Sequence, residues 1–423
     1  MKNVTALLLL PMAALAAFAQ TGNLSSDAKL SPAELSMARA KRLIEKKPND
    51  FEAYNALALA LSRRARETSD VKYYAEAEEA LKQSFAISPD NFDGARIHVW
   101  LLLGRHEFPS AAEEARKLNK RMPDDVTTYG FLTDANVELG NYKDAETTAQ
   151  MMLDLRPGNL PAVTRAAYLR ELFGDIDGSL ELMNMALQST APGEVEDAAW
   201  ILTQMAHLEL ATGKTADAEK TLQQALARFP NYHYALANLA KVRIQQRRYG
   251  EAVQLLQQRY EAAPHAENLF DLAGALQLAG RTKDARKAFA EFEQKSLLET
   301  NRKDNSNREL ISYYTDYAHE PGKALEVAKR EFAWRHDVYT LDCYAWALHV
   351  NGQDQEARKQ IELALSIGIR DSKLMRHAGE IAMALGDKAA AGRYLQQSAD
   401  LNTAESTHAR ALLAGLSSQT SQQ

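Results

Sequence analysis

The 423-residue sequence holds one cysteine, Cys343, so no internal disulfide can form and the fold must rest on packing alone. Proline (12) and glycine (20) are sparse, and aromatic residues make up only 8% of the chain. Ala, Leu, Glu, Lys, Gln and Arg dominate instead, a helix-forming composition. No charge of one sign prevails: 50 basic side chains face 56 acidic ones, a net charge of −6. That balance leaves no electrostatic footprint for nucleic acid. The densest basic cluster, QQRRY at 245–249, reads as solvated helix surface. Beyond the first twenty residues no apolar run is long enough for a membrane span.

Catalytic motifs are also missing. GKT at 213–215 ends like a phosphate-binding loop, but Leu208 stands where the first glycine is required. HEFPS at 106–110 starts like a zinc-binding pair, yet Ser110 replaces the second histidine and Pro109 interrupts the helix. Cys343 and His349 lie six residues apart, about 240° around a helix, so they do not face one another. Cys343 reads as a small packing residue. These residues predict no enzyme, no cofactor and no metal site.

The first twenty residues differ in kind. Lys2 supplies a positive start, VTALLLLPMAALAAF an apolar stretch broken by Pro11, and AFA at 17–19 a small-residue cleavage signal. The expectation is a signal peptide over 1–19 and a mature chain, starting near Gln20, that is periplasmic or secreted.

What the sequence has in quantity is a recurring phrase. GNYKDAETTAQMMLDLRPGN (140–159), GKTADAEKTLQQALARFPNY (213–232) and RRYGEAVQLLQQRYEAAPHA (247–266) each place an alanine twelve residues before a proline. Small residues also recur in pairs twelve apart, such as Thr133/Ala145, Ala206/Ala218, Ala273/Ala285 and Ala345/Ala357. Aligned on those pairs, repeats start at 51, 92, 126, 160, 199, 233, 266, 305, 338 and 372, mostly 33 or 34 residues apart. Two helices approach closely only where both present small side chains. A Gly or Asn, as in Gly140-Asn141 or Gly213-Lys214, marks the turn between them, and Pro89, Pro123, Pro157, Pro230 and Pro264 close the second helix. Repeats 8 to 10 lack that closing proline.

A helix–turn–helix period of about 34 residues resembles the tetratricopeptide repeat family. The segments 337–387, 166–188 and 198–219 resemble exported bacterial members of that family. The resemblance implies an all-α, right-handed superhelical solenoid of about ten repeats over 51–405. Ser31, Pro32 and Glu34 form a capping box for an N-terminal capping helix over 31–48. A C-terminal capping helix is expected over 406–416, with disordered segments at 20–30 and 417–423.

In this family the first helix of each repeat lines the concave face, with its second, fifth, ninth and twelfth positions exposed. Those positions, with Tyr317 beside them, hold many aromatics and histidines. The residues assigned to a partner-binding groove are Tyr313, Tyr317, Tyr339, Asp342, Trp346, His349, Trp200, His207 and Tyr234. Tyr168 and Trp100 also fall on this set. Rings on a concave wall bury large area with few rotors to freeze. The acids beside them favour a ligand with basic or amide donors. The expected function is a non-enzymatic scaffold of the bacterial envelope gripping a peptide or protein partner. The alternatives are a glycan- or wall-binding scaffold, and a non-catalytic subunit of an envelope enzyme complex.

Overall fold

The computed structural model describes residues 30–420, with side chains through 416. The expected signal peptide, nearly all of 20–30 and the last three residues lie outside the described residues. Among those described there are 22 helices and no strand. The first, Pro32–Lys46, and the last, Ser406–Thr420, flank twenty helices that pair consecutively as hairpins. The first helices of the pairs are Phe51–Thr68, Phe92–Gly104, Val126–Glu138, Leu160–Leu172, Val195–Ala211, His233–Gln245, Ala266–Leu278, Asn307–Asp316, Val338–Val350 and Ser372–Ala384. Eight begin at the residue expected from the sequence. The fifth begins at Val195 rather than 199, and the eighth at Asn307 rather than 305. The last helix continues to Thr420, so residues 417–420 are helical rather than a disordered tail. No Gly or Pro interrupts it there.

The local chemistry explains each boundary. Asp50, Asn91, Asp125, Asn159, Asp337 and Asp371 each accept a backbone N–H in the first turn of a first helix. A cap of this kind contributes about 1 kcal/mol. Ser31 and Glu34 form the expected capping box, at 3.2 and 2.8 Å. The small pairs are buried completely or nearly so: Ala206 and Ala218 at 0%, Ala273 and Ala285 at 0%, Ala345 and Ala357 at 0%. The turn between paired helices keeps a left-handed residue throughout, as at Gly140, Gly280 and Gly386, and also where glycine is absent, at His106, Arg247 and His319.

The closing prolines act one residue upstream. Ser88, Met122, Arg156, Phe229 and Ala263 each precede a proline and end their helix with φ between −133° and −144°. Proline excludes the helical region for the residue before it. Where the proline is missing, Thr300, Ala333, Ser366 and Leu401 end their helices in the right-handed region.

Those proline-free loops fold back onto the earlier part of the array. The loop after repeat 8 reaches the turn of repeat 3, where the His336 N–H donates to the Glu138 carbonyl (3.1 Å) and the Val338 N–H to the Tyr142 hydroxyl (2.9 Å). After repeat 9 the chain lies on the turn of repeat 4, with Gly368 against Phe173 and Gly174. After repeat 10 it lies on the turn of repeat 5, with the Asn402 carbonyl over Gly213. One apolar cluster accordingly unites Val137, Leu169 and Leu172 of repeats 3 and 4 with Val338, Leu341 and Ile369.

Charged side chains seal this seam. Arg335 donates to Glu138 at 2.7 Å, and Arg308 pairs with Asp337 at 3.3 Å. Burial pushes the Glu138 carboxyl up, against the pull of the two guanidiniums. At the start of the array Arg66 contacts Glu196 and lies 2.8 Å from Asp197, and the His233 imidazole donates to the Arg66 carbonyl at 3.1 Å. The solenoid therefore closes on itself, and its concave face becomes largely interior.

Candidate functional site

What remains of the concave face is a chamber of about 540 Å³. Position nine of three successive first helices supplies Tyr168, His207 and Lys241, because residues one repeat apart stack along the inner wall. Glu171, Gln204 and Asn238 stand beside them. Tyr317 and Tyr339 come from repeats 8 and 9, and the returning loops add Ile369, Arg370, Asp371, Thr403, Glu405 and His408. Closure of the seam places these two groups on one cavity.

Burial sorts the lining by depth. Glu171, Asn238, Ile369 and Thr403 are buried; Tyr168, His207, Lys241, Tyr317, Tyr339, Asp371 and Glu405 are half-buried; Arg247, Arg370 and His408 are exposed. Glu171 accepts from His207 Nε2 at 2.8 Å. Glu405 is held by Arg376 at 2.9 Å. Asp371 caps its helix through the N–H groups of Lys373 and Leu374.

Asn238 is 2% exposed, and its amide nitrogen donates to the Tyr234 carbonyl at 3.0 Å. That carbonyl can only accept, which fixes the amide orientation and leaves Oδ1 as a buried acceptor without a hydrogen-bond partner.

Burial holds the Tyr339 hydroxyl far above its ordinary pKa, and the charges of Glu171, Asp371 and Asp337 reinforce the effect. Burial does the same to Tyr168, followed by Tyr339, Glu138 and Glu171. Both phenols stay protonated and present donors and ring faces.

The structure brings Tyr317, Tyr339 and His207 to the chamber and separates the other residues assigned to the groove. Trp200 is 2% exposed, packed in the core of repeats 4 to 6. Asp342 is 4% exposed and accepts from His377 Nδ1 at 2.6 Å. Burial raises that carboxyl to about 7. Arg376 donates to His377 Nε2 at 3.1 Å, which leaves the imidazole proton on Nδ1. Trp346 stacks on His377 (4.0 Å, 8°) and donates to Asp316 at 3.0 Å. Tyr313 stacks on Phe289 (5.3 Å) between repeats 7 and 8. His349 bonds Asp354 of its own hairpin at 2.6 Å, and Tyr234 lies against His233 at 3.9 Å.

Each of these side chains is taken up by its own or a neighbouring hairpin instead of facing the chamber. Cys343 is buried and its thiol pushed up to about 12, in keeping with a packing role. Lys241 occupies a ninth position and was legible by the rule that found Tyr168 and His207. Asp371, Arg370 and Glu405 lie outside any first helix, and their only signal was the missing prolines.

Among the described residues no three His, Cys, Asp or Glu side chains are placed to hold a metal, and no helix is long and apolar enough to cross a membrane. A family model of the tetratricopeptide repeat matches residues 203–267. Within that stretch the chain carries a tetratricopeptide repeat, and the helical hairpins on either side of it repeat the same fold. No curated protein matches it. Among solved structures it is similar to the human IFIT1 dimer with m7Gppp-AAAA, at 14% identity over 87% of this chain and 95% of that one, with a TM-score of 0.50. Yeast Tom70 gives 13% identity over 92% and 96%, TM-score 0.41. TTC0263, a thermophilic tetratricopeptide protein of Thermus thermophilus, gives 18% over 46% and 100%, TM-score 0.40. At such identities the likeness is one of fold.

Proposed function

We propose that this chain is a non-enzymatic interaction scaffold that receives a short segment of a protein partner inside its closed solenoid. The observation that carries this reading is the chamber itself, lined by tyrosines, His207 and a few convergent polar side chains. Its volume lies within the range of about 300–1,000 Å³ that ligand pockets span. That size suits a side chain or a few residues of extended chain and excludes a folded domain. The partner-binding role assigned to Tyr317, Tyr339 and His207 belongs to this proposal; Tyr313, Trp346 and the rest are read as packing.

Binding to an array of unstructured peptides tests it, with Ala211→Trp and Ala404→Trp as chamber-filling variants. Both alanines line the cavity. The reading expects peptides retained by the native chain and released by both variants at unchanged melting temperature. Retention by the filled variants, or of purified wall polymer in place of peptides, contradicts it.

The proposed compartment is the bacterial envelope, supported by Lys2, the apolar stretch and the AFA signal. Sequencing the N-terminus of the exported chain should read from Gln20. An intact Met1 in the cytoplasmic fraction would contradict it.

A further inference from the structure

We propose that the chamber recognises a cation, and that its preferred occupant is the guanidinium of an arginine side chain on the partner segment, seated against Tyr168, Tyr339, Glu171 and Asn238. This deepens the scaffold reading and rests on it. Charge in the chamber changes sign with depth. Glu171 is the one ionisable lining residue that is itself buried, and its hydrogen bond comes from an imidazole rather than from a guanidinium or ammonium. The basic lining residues sit further out. Arg247 and Arg370 are exposed, and Lys241 is half-buried within the field of Glu267 in the next repeat. The most buried charge on the lining is thus a carboxylate.

The tyrosines fit the same occupant. Glu171 acts on both the Tyr168 and the Tyr339 hydroxyl, so the two rings stand close to the buried carboxylate. Ring faces attract cations through the aromatic quadrupole, and arginine stacks on them more readily than lysine. The Asn238 side chain adds a polar group to the same lining. A planar, five-donor group is the cationic side chain that can use a carboxylate and a ring face together. An acidic or phosphorylated ligand would instead meet Glu171 head on.

The test measures binding of acetylated, amidated Gly-Gly-Arg-Gly-Gly and of its citrulline counterpart, which has the same shape without the charge. The native chain should bind the arginine peptide about tenfold more tightly than the citrulline one. Glu171→Gln should remove that preference while leaving citrulline binding unchanged, and Tyr339→Leu should weaken both. Hydrogen exchange of each variant verifies that the seam is intact. Equal binding of the two peptides, both lost in Ala211→Trp, overturns the cation site and leaves the scaffold reading standing. Binding of neither peptide, or displacement of both by a 5′-triphosphate RNA tetranucleotide, overturns both.

Discussion

Gly174 and Gly368 meet backbone to backbone, with φ of +82° and +97°, although they belong to the turn of repeat 4 and the loop after repeat 9. A Cβ on Gly174 would collide with the Gly368 carbonyl, and one on Gly368 would stand 2.9 Å from the Phe173 carbonyl. Backbone on both sides leaves nothing to rotate away. This contact is one of three along the seam that brings the returning loops over the chamber.

Gly368→Ala should therefore destabilise the chain twice over. The left-handed conformation costs a side chain about 1–2 kcal/mol, and the collision adds about 1–3 kcal/mol. Gly280→Ala is the control, since Gly280 has φ +73° but nothing within 4 Å of the added atom. Urea unfolding should show the larger loss at 368; equal losses would mean the seam does not press there.

Arg335 and Glu138 form the seam's ion pair, with side chains 5% and 10% exposed. Arg335→Met leaves the carboxylate only the longer contact to Arg308, at 3.9 Å, and should cost up to about 3–5 kcal/mol. Adding Glu138→Leu should recover much of the loss, since an apolar pair of similar volume needs no compensation. Chemical denaturation of both variants checks this, and a double variant no better than the single one would contradict it.

Glu309 gives the stability a pH dependence of known sign. Burial raises its carboxyl to about 8, with the charge of Glu267 adding to the effect. Between the unfolded value near 4.3 and about 8 the native state keeps a proton that the unfolded chain releases. Stability falls as pH rises through that window and is flat outside it. Glu309→Gln should gain on the native chain by about 1 kcal/mol or more between pH 5 and 9. His233, lowered by burial to about 3, works oppositely, removing stability as pH falls below about 6.5. Urea melts at pH 5, 7 and 9 compare the two chains; parallel curves would show that Glu309 does not titrate with folding.

Tyr313 separates packing from binding. Its ring stacks on Phe289 and meets Phe292 edge-on at 5.9 Å. Tyr313→Ala should lower stability, by less than the about 3–5 kcal/mol of a fully buried ring, and leave peptide affinity untouched. A lost affinity without lost stability would return Tyr313 to the binding surface.

Much of this architecture was legible in the sequence because each rule acts locally. A small residue every helix, an Asp or Asn cap and a proline after the second helix operate within one hairpin. Contacts between hairpins do not, and they decide which concave residues stay accessible. Trp346 and Asp342 sit at positions that would face a groove in a wide solenoid, but here they meet His377 of the next repeat. His207, at the ninth position like Trp346, and Tyr339, at the second, line the chamber instead. The absent prolines after repeats 8 to 10 were visible as departures from the pattern. Their meaning, loops that continue in the helical region and dock on an earlier turn, required the partner surface to be seen.

Closure of the solenoid creates the chamber, and the amides of His336 and Val338 report it directly. Both hydrogen bonds cross the seam, to the Glu138 carbonyl and the Tyr142 hydroxyl. Hydrogen exchange resolved to single residues should find them protected well beyond the amides of the loop 190–194, and released together in Arg335→Met. Exchange at the rate of that loop in the native chain would mean that the solenoid is open in solution and that no chamber exists to receive a partner.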